Sequence, residues 1–450
     1  MEDNFEKIVS FGKRRGFVFP SSEIYGGLGG FYDFGPLGVE LKNNIKKSWW
    51  KFMVQERENV VGLDSSIIMN PKIWEASGHT ENFTDPLAEC KCCHKRFRAD
   101  HLMEKEGEED FEKIKCPECE GEFIPPRQFN LMFKTFIGPV EEDAGKAYLR
   151  PETAQGIFVN YKNILDTQRV KIPFGIAQIG KAFRNEITPG NFIFRTREFE
   201  QMEMEYFVKP GEEDKAFDFW LNERMRWYTD ALKIKKENLR IRKHDSEELA
   251  HYAKGCADIE YKFPIGWFEI EGIASRTDFD LKQHEKYSGQ DLKYFDPETK
   301  ESYLPYVIEP SCGVERIFLA ALCDAYEEVE GGRTETTEAV KEKEALLKID
   351  KSLAPIKIAI LPLVKNKEPV VSKAKEVYKE LGGNFQCQYD ETGTIGRRYR
   401  RQDEIGTPFA VTVDFETLED GAVTVRNRDT MEQERIKIEE LKNYFFQKLN

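Results

Sequence analysis

Two arginines are placed so that their planar guanidinium groups could bind the oxygens of a phosphate group. Arg184 follows a strand predicted over 174–183, and Arg316 lies about one turn into a helix predicted to begin near Gly313. A guanidinium presents a rigid fork of donors, which a lysine cannot match at a phosphate. Taken alone, Arg316 could also be an ordinary helix arginine.

A second group of side chains could hold a small cation. After a turn-rich loop at Ile187–Asn191, the pattern predicts a returning strand, and one face of it carries Phe199, Gln201, Glu203 and Glu205. If this face is buried, each ionised carboxylate needs a cationic or hydrogen-bonding partner, because desolvation disfavours the charge. A bound ammonium group would supply one. A solvated outer face of the sheet is the alternative.

Four cysteines have the spacing of metal ligands. Cys90-x-x-Cys93 and Cys116-x-x-Cys119 are separated by 22 residues, which suits a tetrahedral Zn²⁺ site. The metal would replace the core that a polar insert cannot build, and four thiolates would leave no open catalytic position. Chance spacing is the alternative. Cys92 and His94 leave open which residues serve on the first side.

A glycine cluster at Gly26–Gly30 suggests a phosphate-binding loop, but the surrounding residues do not fit one. No Gly-Lys-Ser/Thr follows it, and Tyr32 stands where a dinucleotide-binding pattern would need glycine. We therefore expect a flexible turn.

Composition limits the class of protein. The 450 residues are 40% hydrophobic and 33% charged, which is typical of a globular protein, and we find no run of about 18 apolar residues that would predict a membrane span. The first residues lack a signal-peptide core, so we expect a cytoplasmic protein with thiols or a metal site rather than disulfides. The net charge is −14, so a nucleic-acid partner would need local basic patches.

The residues above fall into three predicted units. Residues 1–330 form the main domain, and it contains a polar, cysteine-rich insert at 85–126. Residues 331–352 are polar and predict a helix and linker, and residues 353–450 alternate strands with helices, as in a small α/β domain. In the main domain, a helix within Val39–Glu58 has an apolar stripe that suits either the core or a subunit interface.

In these elements the chain resembles the class II aminoacyl-tRNA synthetases, since three stretches match their signature motifs in order. They are the helix after Gly35-Pro36, the segment Phe183–Phe207, and Gly313–Arg316. More narrowly, the chain resembles the glycine-specific, single-chain members through the segments Arg150–Gly156, Phe199–Glu203, Glu309–Ser311 and Gly396–Glu404.

The resemblance implies an α+β protein with two main parts. An antiparallel six-stranded sheet flanked by helices would form the catalytic domain, and the C-terminal α/β domain would bind the anticodon. The implied reaction is the ATP-dependent attachment of glycine to tRNA(Gly) through a glycyl-adenylate, with Mg²⁺ near the nucleotide. A homodimer is also implied.

The resemblance assigns site residues as well. The catalytic residues would be Arg184 and Arg316. ATP would contact Arg184, Asn185, Glu186, Phe194, Arg195, Thr196, Arg197, Glu198, Phe199, Glu269, Ile270, Gly313, Val314, Glu315 and Arg316. Glycine would contact Arg98, Glu152, Phe199, Glu200, Gln201, Met202, Glu203, Glu309, Pro310, Ser311, Cys312 and Gly313.

A basic cluster in the last domain would contact tRNA. It consists of Arg397, Arg398, Tyr399, Arg400 and Arg401. Single-stranded bases are bound by stacking and edge hydrogen bonds, which arginines and an aromatic ring can supply. The alternative is that these arginines pair with nearby acidic residues or contact the catalytic domain.

Three rival functions remain open at this level. One is a class II synthetase for serine, threonine or proline. Another is a non-catalytic RNA-binding protein that kept the fold, although Arg184, Glu186 and Arg316 would be expected to be lost in such a relative. The cysteine insert could also be an independent RNA-binding module.

Overall fold

The structure is a computed structural model that describes residues 2–142, 145–245, 253–330 and 343–449. The longer helices are α1 (Glu2–Arg14), α2 (Pro36–Trp50), α3 (Ala99–Glu106), α4 (Ala154–Gln168), α5 (Glu213–Arg226), α6 (Phe279–Ser288), α7 (Val314–Ala325), α8 (Glu368–Gly382), α9 (Ile395–Ile405) and α10 (Leu441–Leu449). Among the described residues, none of the helices has the length and apolar character needed to cross a lipid bilayer.

A seven-stranded sheet forms the centre of the first domain. Its strands are β1 (Val60–Gly62), β2 (Phe174–Phe183), β3 (Glu198–Val208), β4 (Leu239–Lys243), β5 (Gly255–Phe263), β6 (Gly266–Thr277) and β7 (Tyr306–Gly313). They lie in the order β4-β5-β6-β7-β3-β2-β1. Six of these strands are antiparallel, and β1 adds to β2 in parallel at the edge, so the predicted α+β class and antiparallel sheet are confirmed.

The register of β3 explains how its two faces differ. Glu203 lies between Gln178 of β2 and Ser311 of β7, while Met202 and Met204 on the other face are fully buried in the apolar core. Side chains alternate along a strand, so one face of β3 packs and the other is polar. The predicted division between the faces is therefore correct.

Helix α2 packs against α7, and its apolar stripe belongs to the core of its own chain. Leu41, Ile45 and Trp49 of α2, and Phe52 in the turn that follows it, are all buried there. Of the two roles left open for this stripe, the structure supports the core. It does not support a subunit interface, because no side chain of the stripe remains at the surface to meet a second copy.

The cysteine-rich insert is a small unit of its own. The strands Thr84–Glu89, Arg96–Arg98 and Arg127–Asn130 form a three-stranded sheet, and α3 follows the second of them. Its core includes Ala88, Leu102 and Phe123. Such a core is small, which is consistent with a need for additional stabilisation.

The last domain has a mixed sheet, as its strand and helix pattern predicts. Its strands β8 (Ile358–Pro362), β9 (Cys387–Tyr389), β10 (Phe409–Val413), β11 (Ala422–Asn427) and β12 (Gln433–Lys437) lie in the order β9-β8-β10-β11-β12. The pairs of β8 with β9 and β10 are parallel. Helix α8 covers the buried strands.

The segment before the last domain differs from its prediction. Residues 331–342 of the predicted helix and linker lie outside the described residues. Lys343–Leu347 is a strand that pairs antiparallel with Tyr326–Glu330, so a helix is wrong there. The polar composition suggested a helix, but a neighbouring strand satisfies the backbone hydrogen bonds instead.

Candidate active site

A cavity of about 520 Å³ lies against the polar face of the central sheet. The strands β3, β5, β6 and β7, the start of α7 and the loop before β3 contribute to its wall. The predicted site residues in this wall are Arg98, Arg184, Glu186, Phe194, Arg195, Thr196, Phe199, Gln201, Glu269, Ile270, Glu309, Ser311, Cys312, Gly313, Glu315 and Arg316. Arg184 and Arg316 therefore face the same cavity as Phe199 and Gln201 of the predicted polar face, whereas Glu152, Glu203 and Glu205 are not among its lining residues.

Arg184 is held so that its charge faces the cavity. Its guanidinium lies 5.5 Å from the ring centre of Phe83 and 5.4 Å from that of Phe199. Its Nε donates to the carbonyl oxygen of Pro151 at 3.1 Å. Within the described residues its two terminal nitrogens have no hydrogen-bond partner, so they can donate to an anion.

Arg316 is held by Phe194 and Glu269. Its guanidinium lies 4.5 Å from the centre of the Phe194 ring, and one terminal nitrogen donates to a carboxylate oxygen of Glu269 at 3.0 Å. Burial by itself would raise the pKa of Glu269, but Arg316 and then Arg184 outweigh it, and the pKa of Glu269 is lowered. These three charges therefore interact within one cavity.

The acidic part of the site begins with Ser311 and Gln201 in the cavity wall. Directly beneath them, Glu203 accepts a hydrogen bond from Ser311 Oγ at 2.6 Å, and Thr153 Oγ1 donates to its other oxygen. Gln201 accepts a hydrogen bond from the backbone N–H of Thr153 at 3.1 Å. Burial, and then the neighbouring Glu152, raise the pKa of Glu203.

Glu152 is fixed by two neighbours. Its carboxylate lies 3.3 Å from His79 Nε2 and accepts from Gln155 Nε2 at 3.0 Å. Burial opposes ionisation, but His79, Arg276 and Gln155 together outweigh it, and the pKa of Glu152 is lowered. Glu152 is therefore an ionised carboxylate at pH 7.

Glu309 forms an ion pair with Arg276 and also lies close to the other buried carboxylates. Arg276 donates to it at 2.9 Å and to Asp280 at 2.8 and 2.9 Å. Burial raises the pKa of Glu309 to about 8, and Glu203 and Glu152 add to this effect against the opposing charge of Arg276.

Glu205 completes the acidic group. It is fully buried, and neither carboxylate oxygen has a hydrogen bond within the described residues. One carboxylate oxygen from each of Glu203, Glu205 and Glu309 lies within 4.8 Å of the others. Burial and then Glu309 raise the pKa of Glu205 well above its ordinary value. The group therefore carries more carboxylates than Arg276 offsets, and a bound ammonium group would improve the balance.

Several predicted site residues lie away from the cavity wall. Glu200 pairs with Lys46 at 3.0 Å, and Met202 packs in the core, because both point to the opposite face of β3 from Gln201. Val314 is also core, and Glu198 pairs with Lys181. Their predicted contacts with a substrate are therefore not supported.

Other predicted residues support the site from behind or beside it. Arg197 donates to the carbonyl oxygens of Gly29 at 2.7 Å and of Glu186 at 3.0 Å, so it braces the loop. Asn185 and Pro310 do not line the cavity. Arg98 does line the cavity, and it forms an ion pair with Asp85 at 2.9 Å. Glu315, although in the wall, pairs with Lys42 at 2.7 Å.

Some residues of the site were not predicted from the sequence. His244 and Asp258 form a pair in the wall, with 2.7 Å between Nε2 and Oδ2. Asp258 and Glu260 alternate with buried apolar residues along β5, as Glu203 does on β3, and this signal could have identified Asp258. His79 had no comparable local signal.

The four predicted cysteine ligands come together in the insert. The Sγ atoms of Cys90 and Cys119 are 3.5 Å apart, those of Cys93 and Cys116 are 3.6 Å apart, and all four lie within 4.8 Å of one another. Tetrahedral Zn–S bonds of about 2.3 Å would place the sulfurs about 3.8 Å apart, so this donor set fits the metal. Cys92 and His94 are outside the cluster.

The environment of the cluster favours a thiolate at Cys90, whereas, despite the lowering effect of their backbone contacts, burial and the hydrogen bonds shared with Cys90 raise the pKa values of Cys93 and Cys119. Backbone N–H groups of Cys93 and Cys92 lower the pKa of Cys90 to about 6. A Cβ at Gly121 would lie 3.1 Å from the Sγ of Cys90 and 3.3 Å from that of Cys119, so a glycine is needed beside the sulfurs. The geometry supports the predicted cysteine ligands.

The basic cluster of the last domain is largely used within the protein. Arg398 is 1% exposed and donates to the backbone oxygens of Pro362 and Gly393. Arg400 pairs with Glu344 at 3.1 Å, and Arg401 donates to Asp390 at 3.0 Å. The alternative in which these arginines pair internally therefore fits all three better than a contact with tRNA.

The two remaining members of the cluster differ from each other. Tyr399 hydrogen-bonds Thr412 and packs under Arg426, whose guanidinium lies 4.9 Å from its ring centre. Arg397 is exposed. Helix α9 has one face toward the sheet, so residues of one sequence cluster point in opposite directions.

Comparison with known proteins gives a consistent result. Residues 135–326 match the tRNA synthetase class II core domain (G, H, P, S and T), and residues 357–448 match the anticodon binding domain. The chain is similar to the glycine--tRNA ligase of Thermobifida fusca, with 55% identity over 99% of this chain and 98% of the relative. The glycine--tRNA ligase of Streptomyces coelicolor is 55% identical over 99% of each chain.

Proposed function

Since this chain belongs to the glycine--tRNA ligase family, we propose that it attaches glycine to tRNA(Gly) through a glycyl-adenylate made from ATP. The observation that carries this proposal is one cavity that Arg184 and Arg316 line, with an excess of buried carboxylates in its wall and directly behind it. An amino acid brings a carboxylate and an ammonium group, and these two groups need opposite charges from the protein.

The first step joins glycine to the nucleotide. A carboxylate oxygen of glycine attacks the α-phosphorus of ATP, the new P–O bond forms, and the bond to the β-phosphate oxygen breaks to release pyrophosphate. The nucleophile is already ionised, so no general base is needed. The protein must align the reactants and stabilise the charge that develops in the transition state.

Two arginines act on the phosphates in this proposal. Arg184 donates to the α-phosphate and to the glycine carboxylate with its terminal nitrogens, which have no hydrogen-bond partner within the described part of the chain. The guanidinium of Arg316 stacks on the Phe194 ring and donates hydrogen bonds to the γ-phosphate. The Phe194 ring also offers adenine a flat surface on which to stack. A planar fork suits both contacts.

Mg²⁺ fits beside these residues. Asp258 and Glu269 are carboxylates in the cavity wall, and after burial the charge of Glu269 is the largest cause of the raised pKa of Asp258. Mg²⁺ prefers such oxygen ligands, with phosphates and water as the others. When bound, it would neutralise charge on the leaving pyrophosphate.

The amino end of the site would exclude larger substrates. Glu152, Glu203 and Glu309 would surround the glycine ammonium group, with Ser311 in the wall. A wall of buried and hydrogen-bonded side chains cannot move easily, so a Cβ on the substrate would clash. A steric clash can reject a competitor more strongly than a difference of one methylene in a hydrophobic pocket.

The second step transfers the glycyl group to tRNA. The 3′-hydroxyl of the tRNA terminus attacks the carbonyl carbon of the adenylate and loses its proton to solvent, an ester bond forms, and AMP leaves with the electrons of the broken C–O bond. The last domain would hold the anticodon, with the exposed Arg397 among its contacts.

Three further properties belong to the proposal. The four cysteines would hold Zn²⁺ as a structural ion. The protein would be cytoplasmic, where the reducing environment keeps these thiols available for the metal. Two copies would form a homodimer. The observation that supports a homodimer is the exposure of two large apolar side chains in one loop, Ile24 at 88% and Tyr25 at 87%.

Glycine-dependent exchange of pyrophosphate into ATP tests the function directly. The purified protein should catalyse exchange with glycine and show at most about one hundredth of that rate with alanine or serine. Arg184→Ala should abolish it. Exchange with serine but not glycine would instead favour a related synthetase, and no exchange with any amino acid would favour a non-catalytic RNA-binding protein.

A further inference from the structure

A buried hydrogen-bonded chain runs from α6 to the acidic part of the cavity, with Gln155 at its centre. The Gln155 side chain is fully buried. Its amide nitrogen donates to Glu152 Oε1 at 3.0 Å and to Asp280 Oδ1 at 3.0 Å. Its amide oxygen lies 2.8 Å from His284 Nε2.

The chemistry of these groups fixes the direction of every bond. Two carboxylates face one end of the amide, so that end must be the NH₂ group. The oxygen then faces the imidazole, and His284 Nε2 must therefore carry a hydrogen. Burial lowers the pKa of His284 against the opposing charge of Asp280, which favours the neutral ring. His284 is thus a neutral donor that determines which way the Gln155 amide points.

The orientation of Gln155 affects two carboxylates at once. Asp280 holds the guanidinium of Arg276, and Arg276 in turn donates to Glu309 at 2.9 Å. Glu152 is the other carboxylate. If the amide turned over, its oxygen would face both carboxylates and two favourable bonds would become repulsions.

We propose that His284 and Gln155 are positioning residues for the amino acid substrate, because together they hold Glu152 and the Asp280–Arg276–Glu309 group in place. This inference rests on the proposed function of the cavity. Neither residue is part of the cavity wall, so both act through others. Their loss should weaken the binding of glycine and leave the nucleotide contacts of Arg316 unchanged.

His284 can be reached from a second cavity, which makes a chemical test possible. This cavity has a volume of about 370 Å³ and is lined by His284, Tyr287 and Leu292 on its side of the fold. None of these three residues lines the catalytic cavity. A small molecule in this second space could replace a missing imidazole without entering the catalytic cavity.

The first experiment compares two replacements of His284 by the steady-state kinetics of pyrophosphate exchange. His284→Leu removes the donor, and we expect the KM for glycine to rise about tenfold while the KM for ATP changes by less than about twofold. His284→Gln can place an N–H near the position of Nε2, so its KM for glycine should stay close to that of the wild type. Tyr287→Leu is the matched control on the same helix and the same cavity.

The second experiment uses His284→Ala with and without added imidazole. Imidazole should lower the raised KM for glycine at least about threefold, and it should have no such effect on the wild type or on Gln155→Met. This experiment also decides the question if the leucine variant does not fold. A folded His284→Ala with an unchanged KM for glycine, or an equal rise in both KM values, would overturn the proposal. Failure of the proposed function would differ, since the wild type itself would show no exchange.

Discussion

The guanidinium of Arg316 lies 4.5 Å from the centre of the Phe194 ring, at the point where α7 begins beside the loop that precedes β3. Two segments that are far apart in the sequence thus form a cation–π contact at the wall of one cavity. Such a contact orients a flat cation and leaves its edge available to donate hydrogen bonds.

Arg316→Lys should therefore lower the kcat/KM for ATP by about 10²-fold, because a lysine retains the charge but loses both the fork and the flat face. Pyrophosphate exchange at varied ATP measures this effect. Arg435→Lys is a matched control, since Arg435 pairs with Asp414 at 2.7 Å in the last domain. If Arg316→Lys kept the activity of the wild type, a phosphate contact at this position would be excluded.

Two glutamates of β3 provide a test of the polar face. Glu203→Gln removes a charge beneath Ser311, so the KM for glycine should rise about tenfold or more while the KM for ATP changes little. Glu200→Gln is the control on the opposite face, and it should lower stability by weakening the pair with Lys42 and leave the KM for glycine unchanged. The opposite pattern in the two variants would reassign the amine site.

Glu309 should make stability depend on pH. Its pKa is raised from 4.5 to about 8, so between these values the folded protein keeps a proton that the unfolded chain has lost. The free energy of unfolding should consequently fall as the pH rises from 4.5 to about 8. Glu309→Gln should flatten that fall, as measured by urea unfolding at pH 5 and pH 8.5. Equal slopes for the variant and the wild type would contradict the raised pKa.

The zinc site can be tested with neighbouring cysteines. Cys93→Ser should reduce bound zinc from about one ion per chain to near zero and lower the melting temperature, since metal binding stabilises the fold of such an insert. Cys92→Ser should keep the metal, because Cys92 is exposed and outside the cluster. Elemental analysis and thermal unfolding give both measurements. Retention of zinc by Cys93→Ser would remove that residue from the ligand set.

Adjacent arginines of α9 should behave differently. Arg397→Ala should raise the KM for tRNA in the charging reaction and reduce its salt dependence by about one phosphate contact, without affecting pyrophosphate exchange. Arg398→Ala should instead lower the free energy of unfolding by about 2 kcal/mol or more, because it leaves buried carbonyl groups unsatisfied. Normal charging by Arg397→Ala at all salt concentrations would rule out a tRNA contact there.

Local patterns predicted the parts of the fold that depend on neighbouring residues. The strand over Phe174–Phe183 and the alternation along β3 follow from side chains two residues apart. The four cysteines were found in the same way, because the spacing within each pair is local. Strand β8 and helix α8 also follow from their own apolar patterns.

What the sequence could not predict depends on contacts between distant residues. His79 meets Glu152, and His284 meets Gln155, across more than one element of structure. Arg398 looks like its basic neighbours in the sequence and is nevertheless buried, because helix α9 turns it toward the backbone of Pro362. No local pattern gives the direction of a side chain on a helix that has not yet been packed.

Lys42 of α2 forms ion pairs with both Glu200 and Glu315, at 2.6 and 2.7 Å. These two ion pairs connect β3, which carries Gln201, to α7, which carries Arg316, on the side of β3 that faces away from the cavity. An engineer who wished to widen the amino acid pocket for a bulkier substrate could alter Ser311 at the front and keep this rear attachment intact. Changes to Lys42 itself would loosen both elements together, and libraries aimed at new specificity should leave it untouched.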